Sequence, residues 1–303
     1  MKVAGLGQCS LDYIALVKSY PKEDTKEEAL EFSIQGGGPA ATALVALSRL
    51  KVKTTFLGRI SDDNAGVEIK KGLKDAGVDV RGLKTKKGGK SQLAFITVNN
   101  RTGARTIFWQ RPTVPPLAAD EVEPSLIKKQ DFLLLDGLMV EASLRAAEIA
   151  KKNKIPIMLD AGRVRPGMLK IAQMCDYIVC SEEFSKGISN TIKGTIKELA
   201  GYNPKAITIT LGKLGSITWS EGKLFRQPAF KVRAVDTTGA GDVFHGSYIY
   251  GLLKGWHIRK TVEFASAFAA LKCLRLGGRA GIPTLSETLS FIEESAPIIK
   301  KTR

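Results

Sequence analysis

The sequence predicts a single α/β domain with a mainly parallel central sheet that helices flank on both faces. Short apolar segments alternate along the chain with segments of helical periodicity, which is typical of parallel strands joined by helices. The chain has 303 residues, of which 44% are hydrophobic and 25% are charged, as in ordinary globular proteins. We find no internal repeat and no low-complexity linker, so we expect residues 1–303 to form one domain.

Four apolar segments have the length and composition of buried strands. They are Asp131–Asp136 (DFLLLD), Ile155–Asp160 (IPIMLD), Asp176–Cys180 (DYIVC) and Ala206–Leu211 (AITITL). Three further segments have helical patterns, namely Glu141–Asn153, Asn190–Gly201 and Asp242–Gly255. In sheets of this kind, active sites lie at the carboxyl ends of the strands.

Two segments, 12–34 and 91–109, do not fit the alternation. Both contain amphipathic strand patterns without a following helix, as in Ser91–Val98 (SQLAFITV), and turn-forming residues such as Asn99 and Asn100 flank them. They predict a small antiparallel β-sheet beside the main one. Such a sheet suits a lid over a substrate, and it is also a candidate interface for a homodimer.

Net charge and cysteine content limit the partners and the compartment that we expect for this protein. The formal net charge is +16, but Lys and Arg are spread along the chain, and the densest run, Lys84–Lys90, reads as a solvated turn. We therefore do not expect nucleic acid as a partner, and we assign the charge partly to anionic small molecules such as nucleotides. The four cysteines have no CxxC spacing, which indicates a reducing compartment, the cytoplasm.

No segment is long and apolar enough to span a membrane. Asp12 interrupts the N-terminal apolar run, so we interpret this run as a strand of the mature fold instead of a signal peptide. With only two histidines, a histidine-built metal centre is not expected either.

The strongest functional signal is the segment Asp236–Gly246 (DTTGAGDVFHG). A polar turn with two glycines leads into a helix, so the backbone amides of Gly239, Ala240 and Gly241 would form an anion hole for a phosphoryl group. Asp242 would lie at its edge and accept a proton from an attacking hydroxyl.

The alternative for this segment is purely structural. Asp236 or Thr238 would cap the helix, and the glycines would only form a tight turn. For the bare sequence GAGD this alternative is the better one. The full string changes the balance, because it resembles, almost residue for residue, the C-terminal signature of the ribokinase-like (PfkB) carbohydrate kinases.

The resemblance implies a kinase that transfers a phosphoryl group from ATP to a hydroxyl of a small sugar, with Mg²⁺ as cofactor. It implies that Asp242 is the catalytic base and that the amides of residues 239–241 are the anion hole. It also implies a site for K⁺ near Asp236 and Thr238. The resemblance covers roughly the whole chain.

A second signal lies near the N-terminus, where Gly36, Gly37 and Gly38 precede Pro39 and an alanine-rich helix. Glycines followed by proline are typical of a helix start, and a loop before a core helix would explain them alone. The segment occupies the place of the family's N-terminal signature. The resemblance therefore implies that these glycines and Asp12, whose carboxylate can accept two hydroxyl hydrogen bonds, bind the sugar.

Three further stretches occur in the family's order along the chain. LGKLG resembles the strand and turn that lie along ATP, and Asp160–Arg163 (DAGR) resembles the family's D-x-x-R after a central strand. ALKCLRLGGRAGIP resembles the helix and glycine loop that close the adenine pocket. Each has an ordinary loop or core interpretation by itself. The resemblance assigns nucleotide contacts to Ser181, Gly212, Gly215, Thr238 and Gly278.

The chain departs from the family pattern in two places. Ala41 replaces an asparagine that binds the sugar in many members, and Ser181 and Phe184 replace the ends of the magnesium-linked N-x-x-E motif. Glu182 or Glu183 could hold a magnesium-bound water instead, or both are surface acids that open a helix. These departures resemble the ketohexokinase and sulfofructose-kinase branch, which favours a ketose or ketose derivative as the acceptor.

Two other functions remain open. A nucleoside kinase of the same fold would stack its base on aromatic side chains, for which Tyr13, Phe95, Phe108 and Trp109 are candidates, although lid packing also explains them. The other is a non-catalytic sensor of nucleotides or sugars. A Rossmann dehydrogenase is poorly supported, because no G-x-G-x-x-G follows the first strand.

Overall fold

The computed structural model describes residues 1–295 and contains two β-sheets. The strands are β1 (Lys2–Leu6), β2 (Ser10–Val17), β3 (Glu31–Gly37), β4 (Lys53–Ser61), β5 (Val78–Lys86), β6 (Leu93–Asn99), β7 (Arg105–Gln110), β8 (Phe132–Leu135), β9 (Ile157–Ala161), β10 (Tyr177–Ser181), β11 (Ala206–Thr210), β12 (Ser216–Ser220) and β13 (Lys223–Gln227). The helices are α1 (Pro39–Arg49), α2 (Asn64–Asp75), α3 (Pro124–Ile127), α4 (Val140–Lys152), α5 (Met168–Ala172), α6 (Glu182–Ile188), α7 (Ile192–Ala200), α8 (Ala240–Leu253), α9 (Ile258–Lys272) and α10 (Leu285–Ser295).

The larger sheet has nine strands in the order β13-β12-β11-β10-β9-β8-β1-β4-β5. All are parallel except β12 and β13, which add an antiparallel edge. From β1 the sheet grows first toward β4 and β5, and then on the other side from β8 to β11. The strand order therefore reverses between β1 and β8, and ligands of open α/β sheets bind outside the carboxyl ends of strands at such a point.

Apolar side chains cover both faces of this sheet. In β8, Phe132 and Leu134 pack into one core cluster, and Leu133 and Leu135 pack into the other, because successive side chains of a strand point to opposite faces. Helices α1, α2, α8 and α9 contribute to the first cluster, and α3, α4, α5, α6 and α7 contribute to the second. The predicted sheet flanked by helices on both faces is confirmed.

The smaller sheet has the order β3-β2-β6-β7 and is formed by the two predicted segments near 12–34 and 91–109; we call it the lid, after its predicted role. The pairs β2–β3 and β6–β7 are antiparallel, as predicted, whereas β2 and β6 are parallel. This parallel pair has a simple cause. Strand β2 follows β1 and strand β6 follows β5 along the chain, so both leave the main sheet from its carboxyl edge and run the same way.

The helix boundaries differ from the predicted ones by one or two residues. The difference matters at α8, which begins at Ala240 and not at Asp242. Gly239 has a φ of 72° and ends the preceding loop, so Ala240 and Gly241 already belong to the first helical turn. Among residues 1–295, no helix is both long and apolar enough to cross a bilayer.

Candidate active site

Asp242 lies in the first turn of α8, where the backbone N–H groups have no partner within the helix. The preceding loop is tightly packed on one side, because a Cβ on Gly239 would lie 2.9 Å from the Cα of Gly278. A Cβ on Gly241 would have no neighbour within 4 Å. The first turn of α8 therefore adjoins the C-terminal glycine loop and faces open space at Gly241.

The surroundings of Asp242 bring the pKa of its carboxyl close to neutral pH. Burial raises its pKa to about 7, and the nearby carboxylates of Asp160 and Asp12 add to the rise. His245 and Arg105 oppose it. A carboxyl with a pKa near neutral pH is suited to accept a proton from a hydroxyl.

Asp160 and His245 form a buried pair behind Asp242. The Asp160 Oδ1 lies 3.4 Å from the His245 Nε2, and the Asp160 Oδ2 has no hydrogen-bond partner within residues 1–295. Burial raises the pKa of Asp160 well above its usual value. The Nδ1 and Nε2 of His245 lie 2.6 and 3.2 Å from the carbonyl oxygens of Gly241 and Val179, so this ring is fixed against the first turn of α8.

Asp12 lies on lid strand β2, and its buried carboxylate accepts a hydrogen bond of 2.7 Å from the Ser10 hydroxyl. Burial raises the pKa of Asp12. A Cβ on Gly37 would lie 2.6 Å from the Asp12 Cγ, so only glycine leaves room for this carboxyl. Gly38 has a φ of 93°, and a Cβ there would lie 2.7 Å from the carbonyl carbon of Gln8.

Arg279 lies among these residues, although the sequence analysis did not identify it. Its Nη2 donates to the Gly37 carbonyl at 2.9 Å, its Nε donates to the Thr42 hydroxyl at 3.4 Å, and a Cβ on Gly36 would lie 2.7 Å from its Cζ. Burial lowers the pKa of Arg279 to about 10, and the Asp12 carboxylate opposes this effect. The Gln35 Oε1 accepts from the Arg279 backbone N–H at 3.1 Å and holds this loop against the lid.

Asp136 is a second residue that the sequence analysis missed. It follows β8 at the point where the strand order reverses, and its carboxylate accepts from the backbone N–H groups of Gln8 at 2.7 Å and Leu138 at 3.0 Å. Burial raises its pKa to about 6. Asp136 is the last residue of DFLLLD, and its position could have identified it. A carboxylate directly after a buried parallel strand lies at the edge of the sheet that binds ligands.

Three of the residues assigned to the nucleotide lie at the ends of two neighbouring strands. Ser181 ends β10 and pairs with Thr210 of β11, and Gly212 and Gly215 form the turn after β11 with φ values of 56° and 91°. The Ser181 hydroxyl caps α6 and also donates to the Gly162 carbonyl at 2.6 Å. The side chain of Ser181 therefore holds two loops together at this edge of the sheet.

Asp236 is fully buried and joins the two glycine loops. Its carboxylate accepts from the backbone N–H groups of Thr238 and Gly277, both at 2.8 Å. Its carbonyl oxygen accepts from the Lys272 Nζ at 2.9 Å. The Thr238 hydroxyl is buried and has no hydrogen-bond partner in the described part of the chain, which leaves it available to a ligand.

Glu182 and Glu183, the candidate magnesium residues, are exposed at the start of α6. Glu182 pairs with Lys186 at 2.7 Å, and Glu183 pairs with Arg163 at 2.6 Å. Within residues 1–295, no three Asp, Glu, His or Cys side chains gather into a metal-binding group. Mg²⁺ commonly uses only one or two carboxylates together with phosphate oxygens and water, so either glutamate fits that limited role.

The sequence matches the pfkB family of carbohydrate kinases over residues 1–285. It is 28% identical to fructokinase-1 of Zea mays, with 97% of this chain and 98% of that protein covered. It is 26% identical to a 5-dehydro-2-deoxygluconokinase of Halalkalibacterium halodurans, over 97% and 95% of the two chains. The fold is similar to that of Arabidopsis thaliana ribokinase complexed with ribose and ATP, with a TM-score of 0.82, 22% identity and coverage of 96% and 98%.

Proposed function

The chain belongs to the pfkB family of carbohydrate kinases, and from that premise we propose that it phosphorylates a hydroxyl of a ketose or ketose derivative. It is an ATP-dependent carbohydrate kinase. The observation that carries the proposed mechanism is the carboxyl of Asp242, which lies in the first turn of α8 with its pKa raised to about 7.

In this mechanism Asp242 takes the proton from the acceptor hydroxyl as that oxygen attacks the γ-phosphorus of ATP. The bond from this phosphorus to the β-phosphate oxygen breaks, and ADP leaves with that oxygen. The amides of Gly239, Ala240 and Gly241 stabilise the negative charge on the transferring group. Mg²⁺, when bound, would offset the negative charge of the ATP phosphates, and Glu182 or Glu183 is the candidate carboxylate for one of its waters. Thr238 supports the nucleotide through its buried hydroxyl, which has no hydrogen-bond partner among residues 1–295.

Asp12 and Arg279 are the proposed ligands of the acceptor. Asp12 is buried and Arg279 is half-buried, and the two side chains lie against the adjacent glycines at 37 and 36. The Asp12 carboxylate and the Arg279 guanidinium provide hydrogen-bond acceptors and donors for a polyol. The names of two relatives, a fructokinase and a 5-dehydro-2-deoxygluconokinase, support a keto sugar or a derivative of one.

The lid supports two further parts of the proposal. Tyr13 and Phe95 stack on each other with ring centroids 5.2 Å apart, which favours lid packing over stacking on a nucleobase. Phe32, Phe108 and Trp109 are exposed apolar side chains of the lid, and a second copy of the chain would cover them in a homodimer. All four cysteines are buried free thiols, which suits the reducing cytoplasm.

The substitution Asp242→Asn tests the mechanism. It should leave the fold intact and lower kcat by roughly 10²–10⁴, because the general base is lost. Asp75→Asn, at the exposed end of α2, is the matched control and should leave kcat unchanged. ADP release is measured with Mg-ATP and a panel of ketoses, aldoses and nucleosides.

A kcat for Asp242→Asn above about a tenth of the wild-type value would contradict the role of Asp242. Turnover with a nucleoside but with no sugar would instead favour the nucleoside-kinase alternative. If no acceptor stimulates ADP release and Mg-ATP does not raise the melting temperature, the sensor alternative or another function replaces this proposal.

A further inference from the structure

A buried lysine, Lys272, lies beneath the loop 236–242 and takes no part in the steps above. It is the last residue of α9 and has an exposed fraction of 0%. Its Nζ donates at 2.9 Å to the carbonyl oxygen of Asp236, the first residue of that loop. Lysine is almost never fully buried without a partner, since removing an ammonium from water is costly. The buried Lys272 therefore requires a partner of opposite charge.

The counter-charge is the carboxylate of Asp236, which is also fully buried. Burial lowers the pKa of Lys272, and Asp236 is the foremost group that opposes this effect. Asp236 in turn accepts hydrogen bonds from the backbone of Thr238 and of Gly277. One cation and one anion thus hold the loop that leads to Asp242 against the C-terminal glycine loop.

The resemblance to the PfkB kinases implies K⁺ beside Asp236, and the residues present do not fit this ion. The Asp236 carbonyl oxygen already accepts from an ammonium, and the Asp236 carboxylate already balances the charge of that ammonium. A second cation at this position would be repelled by Lys272 across an interior that screens charges weakly. The Lys272 ammonium already supplies the positive charge that K⁺ would bring to this position.

We propose that the ammonium group of Lys272 acts as a built-in monovalent cation of the catalytic loop, so that phosphoryl transfer by this protein does not require K⁺. Lys272 is a positioning residue. It fixes the Asp236 carbonyl, and through the Asp236 carboxylate it fixes the turn that presents the amides of residues 239–241. The inference rests on the proposed role of the loop 236–242 in phosphoryl transfer.

The first test uses the unmodified protein. Initial rates with Mg-ATP and a responsive acceptor are measured in K⁺, Na⁺ and tetramethylammonium chloride at one ionic strength. We expect the three rates to agree within about twofold. Stimulation by K⁺ of about tenfold or more, relative to tetramethylammonium, would overturn the proposal.

The second test is Lys272→Met, which removes the ammonium and keeps an unbranched side chain. We expect a low rate in tetramethylammonium that K⁺ or NH₄⁺ raises by about tenfold or more, since these ions now have a vacant position beside Asp236. Lys260→Met, on the exposed side of the same helix, is the control and should respond to salt as the wild type does. A Lys272→Met variant as indifferent to K⁺ as the wild type would contradict the proposal.

Thermal melts provide a readout that does not depend on activity. K⁺ should raise the melting temperature of Lys272→Met by a few degrees relative to tetramethylammonium, and it should leave the wild type unchanged. If the wild type turns over no acceptor, the proposed function fails, while the melts still decide the cation question. If Lys272→Met does not fold in any salt, the wild-type rates and melts decide it.

Discussion

The contact between Gly37 and Asp12 provides a direct test of the acceptor site. We predict that Gly37→Ala displaces the Asp12 carboxylate, because the new Cβ would lie 2.6 Å from both its Cγ and its Oδ1. Non-bonded carbon contacts are normally about 3.5–4.0 Å, so the carboxylate must move by roughly 1 Å. Asp12 has a short side chain whose position is also fixed by Ser10, so a smaller adjustment is not available.

Two independent arguments give the size of the effect. A displacement of about 1 Å in a site that orients a substrate can cost about 10²-fold in rate. The loss of one hydrogen bond to a charged group costs about 1.5–3 kcal/mol, which corresponds to roughly 10- to 150-fold in kcat/KM. We therefore expect kcat/KM for the acceptor to fall by about 10- to 150-fold, with the KM for ATP unchanged.

The assay is steady-state ADP release at saturating Mg-ATP, combined with a thermal melt. The matched control is Gly72→Ala in α2, where a new Cβ would meet no atom within 4 Å. It should leave the kinetics unchanged and stabilise the fold by about 0.5–1 kcal/mol, the usual gain of alanine over glycine inside a helix. If kcat/KM of folded Gly37→Ala stays within about threefold of wild type, Asp12 does not bind the acceptor as described.

Two further predictions concern protons and magnesium. Since burial raises the pKa of Asp242 to about 7 and the base must be deprotonated to act, kcat/KM should be constant above that pH and fall about tenfold per pH unit below it. A pH profile that is flat down to about pH 5 would contradict this assignment. If one of the exposed carboxylates at the start of α6 holds a magnesium-bound water, its replacement by Gln should raise the Mg²⁺ concentration for half-maximal rate, whereas the other replacement should not. Comparison of Glu182→Gln with Glu183→Gln identifies the residue, for which Glu182 is our expectation, and two unchanged titrations would mean that neither glutamate serves the metal.

The sequence predicted the features that depend on local patterns. The strand β8 was visible as FLLL because a central strand buried on both faces is apolar throughout. The glycine turn before α8 was visible because glycines and a helix start are adjacent in sequence. The start of α8 was placed two residues late, since the pattern of apolar residues does not reveal that Gly239 takes a φ of 72°.

Long-range contacts could not be predicted in the same way. Arg279 reaches the proposed acceptor site by hydrogen bonds to Gly37 and Thr42, more than 200 residues away. The pairing of Asp160 with His245 joins the end of β9 to the interior of α8. The local segments of Arg279 and His245 were recognised as motifs, but the contacts of these side chains depend on tertiary packing. Only the strand order brings the partners together.

The proposed site is divided between the two sheets, and this division bears on how much ATP is lost to hydrolysis. Asp12 belongs to a lid strand, whereas Asp242 belongs to a helix packed on the main sheet. In the proposed mechanism a polyol contacts both carboxylates, which a single water molecule is too small to do. The acceptor would then link the lid to the body, and transfer of the phosphoryl group to water would be suppressed because water would not hold the two parts together.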